Sequence, residues 1–189
     1  AAWIAAGMLA NVTILDKNLD RLRHLDQICV GRTTTLASNR GSIERALIDA
    51  DLVVGAVLVA GARAPIVVSE DMVRSMKPGS VIVDVAVDQG GCIATTRETT
   101  HTDPIYMQHG VVHYAVGNMP GAVPYTSTYS LTNATLPYQL DVARHGALGA
   151  VTQSEALRHG LNTARGHITN DAVARELNLA FVDPITALR

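Results

Sequence analysis

Short apolar runs alternate with amphipathic stretches along most of the chain, and the two follow different periods. Residues 1–9 are Ala-rich with a helical pattern, and Val12-Thr-Ile-Leu15 then reads as a short buried strand stopping at Asp16. Residues 18–29 place Leu22, Leu25 and Cys29 on one helical stripe behind Asn18, a side chain suited to capping. The β-branched "TTT" within residues 32–37 suits a strand. Residues 42–50 set Ile43, Ala46, Leu47 and Ala50 at the spacing of an amphipathic helix. "DLVVGAVLV", residues 51–59, lacks polar alternation and is expected as a strand buried on both faces. Ser69 opens the next helix, with Glu70 and Asp71 in its positively polarised first turn and Val68 and Val73 placed to staple it. "KPGS" ends that helix; residues 80–87 are expected as the next strand and residues 111–116 as one more.

Short apolar strands alternating with helices predict right-handed βαβ crossovers and a parallel sheet with helices on both faces. After Pro124 the pattern changes. "TSTYSLTNATLPYQLDVARHG" carries no strand signal and reads as largely helical despite Pro137. Thr152-Gln-Ser-Glu155 matches a capping box before another short helix, and Thr169 is placed to cap "NDAVARELNL". This tail of two or three helices is expected to belong to a second packing unit.

Composition narrows the function classes. The chain has 189 residues, of which 48% are hydrophobic and 17% charged, enough apolar material for a sizeable core. Its net charge of −2, with no basic stripe, argues against nucleic acid as a partner. The longest apolar runs are strand-sized, well short of a membrane span. Two cysteines make no disulfide framework, and a reduced, cytoplasmic setting is the simple reading. The Ala-rich beginning without Met reads as the middle of a helix, so the chain is expected to be a fragment with an upstream part.

In open parallel α/β sheets ligands bind beyond the carboxyl ends of the strands. Those ends are Asp16, Ser38, residues 57–59, Asp88 with Gln89-Gly-Gly, and Gly117-Asn-Met119. Asp16 stands where a dinucleotide fold places the acid that holds the adenosine ribose; it equally suits the dipole of the following helix, and position alone does not separate the two. No glycine-rich turn precedes it. Asp84 and Asp88, four strand residues apart, would lie roughly 13 Å from each other, too far for a glycosidase pair. Asp84 is expected as a buried structural acid, and Asp88 either as a functional acid or as a turn cap. The seven histidines show no metal-ligand spacing, Cys92 reads as a small packing residue, and no Ser-His-Asp or G-x-S-x-G constellation is visible.

The blocks "LVVGAVLVAGARAP", "MKPGSVIVDVAVDQGGC", "HGVVHYAV" and "VGNMPGAVPYTSTYSLTNATLPY" closely resemble the C-terminal half of the bacterial alanine dehydrogenase family, from Ala1 to about Arg189. The resemblance implies a Rossmann-type doubly wound parallel sheet in residues 1–126, lacking its first strand and Gly-rich turn, and a helical segment, residues 127–189, that completes the substrate domain. It implies NAD as cofactor and conversion of L-alanine to pyruvate and ammonium, and the reverse. Asp16 would hold the ribose, with Arg21 and Ser38 on the adenosine side and Val57 and Leu58 lining the cleft. Val85, Ala86, Val87 and Asp88, together with Val116, Gly117, Asn118 and Met119, would border the nicotinamide, with Arg97 also near the dinucleotide. Asp88 would be the active-site acid. The family's catalytic histidine and substrate-binding lysine and arginine lie in its N-terminal domain, and none of the histidines here matches that role. The chain is therefore expected to be inactive alone. The family is hexameric and takes small-molecule substrates without a membrane. The related proton-translocating transhydrogenase α-subunit typically carries Glu before "QGG", so Asp88 points to alanine dehydrogenase; that α-subunit, or a stand-alone nucleotide-binding module, is the alternative.

Overall fold

Parallel strand pairing organises the first of two units in the computed structural model, which describes residues 1–189. That unit is Ala1–Val57 with Ala64–Gly117; the second is Leu58–Arg63 with Asn118–Arg189. The first contains α1 (Ala2–Gly7), β1 (Val12–Asp16), α2 (Leu19–Cys29), β2 (Thr33–Ala37), α3 (Arg40–Asp49), β3 (Leu52–Gly55), α4 (Glu70–Arg74), β4 (Val81–Asp84), β5 (Ile105–Gln108) and β6 (Val111–Tyr114). Strands β1 and β2 pair in parallel from Val12↔Thr33 to Asp16↔Ala37. A second sheet has the order β3-β4-β6-β5, parallel except at the β5–β6 edge. The expected α/β alternation is present, arranged as two sheets instead of one.

Helices α2, α3 and α4 begin where a side chain can accept the first free amides. Asn18 Oδ1 accepts from the Asp20 and Arg21 amides at 3.0 and 3.1 Å. Helix α3 starts earlier than its apolar stripe, because Asn39 and Ser42 cap each other reciprocally. Ser69 caps α4, and the flanking Val68 and Val73 are both buried in the main core. That core joins Leu47 of α3 and Met72 and Val73 of α4 to Ile82, Ile93 and Val111 beneath them. Each such side chain stabilises the fold by about 1.5–3 kcal/mol when fully buried.

Three strand expectations need correction. β3 ends at Gly55 and lies at the edge of its sheet, so Leu52 and Val54 are 56% and 39% exposed instead of buried on both faces. Its last rung is Gly55↔Asp84, and beyond it the neighbouring strand stops, leaving residues 56–59 nothing to pair with. β4 likewise ends at Asp84, not at Val87. The Val85 amide still donates to Gly55 O at 2.8 Å, after which Val87–Gln89 form a 3-10 turn closed by Gly90 and Gly91 at φ 90° and 77°. β6 stops at Tyr114, and Val116 makes only an isolated parallel bridge to Thr99. The β5–β6 hairpin turns through His109-Gly110, both with positive φ (53° and 76°), as a two-residue hairpin turn matching strand twist requires.

The second unit contains α5 (Pro124–Gln153), α6 (Glu155–Gly160), β7 (Thr163–Ala164), β8 (His167–Ile168), α7 (Asp171–Leu177) and α8 (Pro184–Leu188). Pro137 sits inside the 30-residue α5; the interruption falls instead at Gly146, whose φ of 67° breaks the helical path. Two expected caps shift by one or two residues. Ser154, not Thr152, accepts the Leu157 amide at the start of α6, and the Thr152 hydroxyl donates to Leu148 O within α5. Asn170, not Thr169, caps α7; Thr169 is buried and its hydroxyl donates to Leu161 O. No helix is long and apolar enough to cross a membrane.

Candidate functional site

The carboxyl ends of the parallel strands carry two groups of side chains. In the first, Asp16 is the last residue of β1 and Ser38 follows β2, and the Ser38 amide extends the ladder by donating to Asp16 O at 2.9 Å. Asp16 Oδ1 accepts the Asn18 amide at 2.8 Å, which turns the chain into α2. The second oxygen of this half-buried carboxylate, and the Ser38 hydroxyl, make no hydrogen bond within the chain. One oxygen therefore serves the turn into α2, and the other has no partner within the chain. Arg21 is exposed in the first turn of α2.

The second group is built on Asp84, which is fully buried. Oδ1 accepts from the Ala86 amide at 3.0 Å and the Cys92 thiol at 3.4 Å. Oδ2 accepts from the Cys92 and Ile93 amides at 2.9 and 3.3 Å and from the Thr96 hydroxyl at 2.7 Å. Asp84 is thus the satisfied structural acid expected from sequence. Two glycines make room for it: a Cβ at Gly55 would meet Cys92 Sγ at 2.6 Å, and one at Gly91 would meet Asp84 Oδ2 at 3.0 Å. Burial, reinforced by the Asp84 charge, pushes the Cys92 thiol up to about 12, so it remains a protonated packing residue and not a nucleophile.

Asp88 is exposed in the turn beyond this buried carboxylate. Gly117 faces it. A Cβ there would collide with Glu98 Oε1 and stand 3.4 Å from Asp88 Oδ1, so two carboxylates converge over a glycine that leaves the space between them open. The approach depends on the Thr99–Val116 bridge, in which the Thr99 amide donates to Ala115 O at 2.9 Å and the Gly117 amide to Thr99 O at 3.3 Å. Sequence reasoning missed Glu98. It lies in the polar stretch "TTRETT", and only this long-range bridge brings it to Asp88.

Arg97 rests on an aromatic stack. Its guanidinium carbon lies 4.0 Å from the Tyr106 ring centre, and its amide donates to the Tyr106 hydroxyl at 2.9 Å. That hydroxyl donates to Thr95 O at 2.7 Å, and the ring stacks on His113 at 4.9 Å between centres. His113 Nδ1 is 3.0 Å from Val111 O, which can only accept, so Nδ1 carries the hydrogen and Nε2 accepts from the Thr95 hydroxyl at 2.7 Å. Burial lowers the His113 pKa and keeps the ring neutral; burial also raises that of Tyr106.

Of the remaining candidates, Ala86, Val87 and Val116 are buried, Val85 is exposed and Val57 packs beside the core of the first unit. Leu58, Asn118 and Met119 fall in the second unit. Leu58 is exposed there; Asn118 adopts φ 53°, and its carbonyl accepts the Gly121 amide as the 3-10 turn Met119–Ala122 begins.

Residues 1–171 match the family model described as alanine dehydrogenase/PNT, C-terminal domain. The chain is 56% identical over 190 aligned residues to the alanine dehydrogenase of Bacillus subtilis (strain 168), covering 100% of this chain and 50% of that protein. It is 56% identical over 189 residues to that of Methanococcus maripaludis, covering 100% of this chain and 51% of the relative. A solved L-alanine dehydrogenase superposes with a TM-score of 0.82 at 49% identity, over 94% of this chain and 49% of that one. A transhydrogenase from Sinorhizobium meliloti gives 0.54 at 26% identity, over 64% of this chain and 33% of the other. The chain spans about half the length of the curated relatives it matches. With the family model covering most of its length and such identity from end to end, this chain belongs to the alanine dehydrogenase/PNT C-terminal domain family.

Proposed function

We propose that this chain is the cofactor-binding half of an NAD-dependent alanine dehydrogenase, which converts L-alanine, NAD⁺ and water to pyruvate, ammonium, NADH and a proton, and runs the reverse amination. The observation that carries the reading is the end-to-end identity with alanine dehydrogenases, 56% over the whole chain, against 26% over 64% of it for the transhydrogenase.

The residues present fit a dinucleotide. Asp16 offers an unengaged carboxylate oxygen to a ribose diol, and by resemblance Ser38, whose amide donates to Asp16 O, and Arg21 would serve the adenosine side. The negative charge of Asp16 also repels a 2′-phosphate and so favours NAD over NADP. Gln89 Oε1 is buried without a partner, an acceptor awaiting a donor next to Asp88. By resemblance, residues 85–88 and Val116 with Gly117 would border the nicotinamide, beside Arg97 and Val57, and Leu58, Asn118 and Met119 adjoin these stretches in sequence. Bound NAD⁺ supplies the hydride acceptor. Asp88 accepts hydrogen bonds from the substrate nitrogen and favours its cationic form, and Glu98 adds a second negative charge over Gly117. Residues 1–126 form the cofactor domain in this reading, and residues 127–189 complete a substrate domain. The assembled enzyme works as a cytoplasmic homo-oligomer, a hexamer by family resemblance.

The test compares this chain alone with a form extended by the remaining half of a relative such as the Bacillus subtilis enzyme. NADH formation from alanine, followed at 340 nm, is expected only from the extended form. Turnover by the chain alone would contradict the division of labour, and an extended form that binds NADH but ignores alanine would contradict the substrate.

A further inference from the structure

We propose that Asp84 and Thr96 are positioning residues for Asp88, a clasp that holds the acid-bearing loop in the shape it needs for ligand. The inference rests on the reading of Asp88 as the active-site acid.

The partners of Asp84 carry the argument. All five donors to its carboxylate belong to residues 86–96: the Ala86, Cys92 and Ile93 amides, the Cys92 thiol and the Thr96 hydroxyl. None comes from a helix or a neighbouring strand. A carboxylate serving only the stability of the sheet would tie β4 to the elements around it; this one ties the start of a single loop to its return. Ala86 lies just after the strand and Cys92 at the loop's return, both buried in the core, so the two anchors bracket Asp88. Removal of a carboxylate from water is costly unless its oxygens are filled, and buried amides are equally costly unless accepted, so each side of the clasp requires the other. Secondary ties run the same way: the Gly91 amide donates to Ala86 O at 3.0 Å, and Gln89 O and Cys92 O accept from the Ala64 and Val67 amides at 2.9 and 2.8 Å. Asp88 then has little freedom left except in its own side chain.

Thr96 gives the cleanest handle, because it lies at the half-buried end of the clasp and contributes one hydroxyl. In the extended enzyme, Thr96→Val removes that donor at nearly constant volume, and Thr96→Ser returns it. Small displacements of a reacting group cost rate out of proportion to their size, so Thr96→Val is expected to lower kcat about tenfold while KM for NAD stays within about twofold. Thr96→Ser is expected within about twofold of wild type in both. A merely structural role would not divide kcat from KM at temperatures far below Tm, nor separate Val from Ser once both are folded. Amide exchange supplies a readout independent of alanine: Thr96→Val should speed exchange at Ala86 and Cys92 about tenfold, and Thr96→Ser should not. Unchanged exchange, or equal kcat in Thr96→Val and wild type, overturns the clasp. Faster exchange in an enzyme whose wild type ignores alanine supports the clasp and overturns the functional reading instead.

Discussion

Asp16 and Asp84 occupy equivalent places, each the last residue of a parallel strand, and they do opposite work. Asp16 is half-buried; one oxygen holds the turn into α2 and the other makes no bond within the chain. Asp84 is fully buried, with both oxygens filled by the loop that follows. The difference is one of solvent access. A carboxylate that water can reach keeps capacity for a ligand, whereas one withdrawn from water must spend all its acceptor sites on the protein. At β4 the exposed carboxylate is Asp88, four residues on, while the loop that carries it donates to both oxygens of Asp84.

The sharpest way to break this comparison is to neutralise the exposed member. In the extended enzyme, Asp88→Asn is expected to cost about 10²–10³ in kcat, the range of a lost acid–base or charge-stabilising group, with NADH affinity unchanged within a few-fold. Steady-state kinetics with an independent NADH fluorescence titration measure both. A variant that keeps kcat but loses NADH would assign Asp88 to cofactor holding and leave the chemistry elsewhere.

A smaller effect is expected at the other strand end. Asp16→Ala should weaken NAD binding about tenfold, the scale of one charge-assisted hydrogen bond, with kcat at saturating NAD unchanged. The same substitution should reduce discrimination against NADP, because it removes the negative charge that repels a 2′-phosphate. Calorimetric titration with both cofactors checks this. Equal affinities of wild type and Asp16→Ala for NAD would reduce Asp16 to a turn residue and erase its contrast with Asp84.

Much of this arrangement was legible in the chain itself, and the failures share a cause. The strands and helices through Asp49 follow from local periodicity and caps, and so do the places of Asp16 and Ser38 at strand ends, whereas Asp88 lies in a 3-10 turn four residues past the end of β4. Local pattern could not place Glu98 over Gly117 or show that β3 lies at an edge, because both depend on pairing between distant segments. The apolar run through Val87 hid the end of β4 for a related reason: Ala86 and Val87 are buried, but in a turn folded onto Asp84 and not in a strand. Burial shapes hydrophobicity whether or not the backbone is extended, so the run reported depth and not conformation. The His109-Gly110 hairpin escaped because its first turn residue is not the asparagine or aspartate that usually marks such turns.

His113 extends the contrast to a buried base, with the smallest expected effect. It is 1% exposed beneath Tyr106, and burial lowers its pKa below the ordinary 6.5. In the unfolded chain the imidazole takes up a proton as pH falls through about 6.5, whereas the folded chain resists until its lower pKa is reached. The unfolded state then binds more protons, so stability should be level above that range and decline as pH falls below about 6.5. Glu70 acts in a different window. The His109 and Arg74 contacts lower its pKa below the ordinary 4.5, so its contribution persists down to that region and fades below it. Urea unfolding of this chain at about pH 7.5 and about pH 5.5 should therefore leave Glu70 out of the comparison, and a His113 variant assigns the histidine's share. His113→Gln, though less stable throughout because it gives up the ring stack, should show a shallower decline between those two values. A decline just as steep without the imidazole would place the titrating group elsewhere, and would mean that the Thr95 and Val111 bonds hold His113 without the penalty that its burial implies.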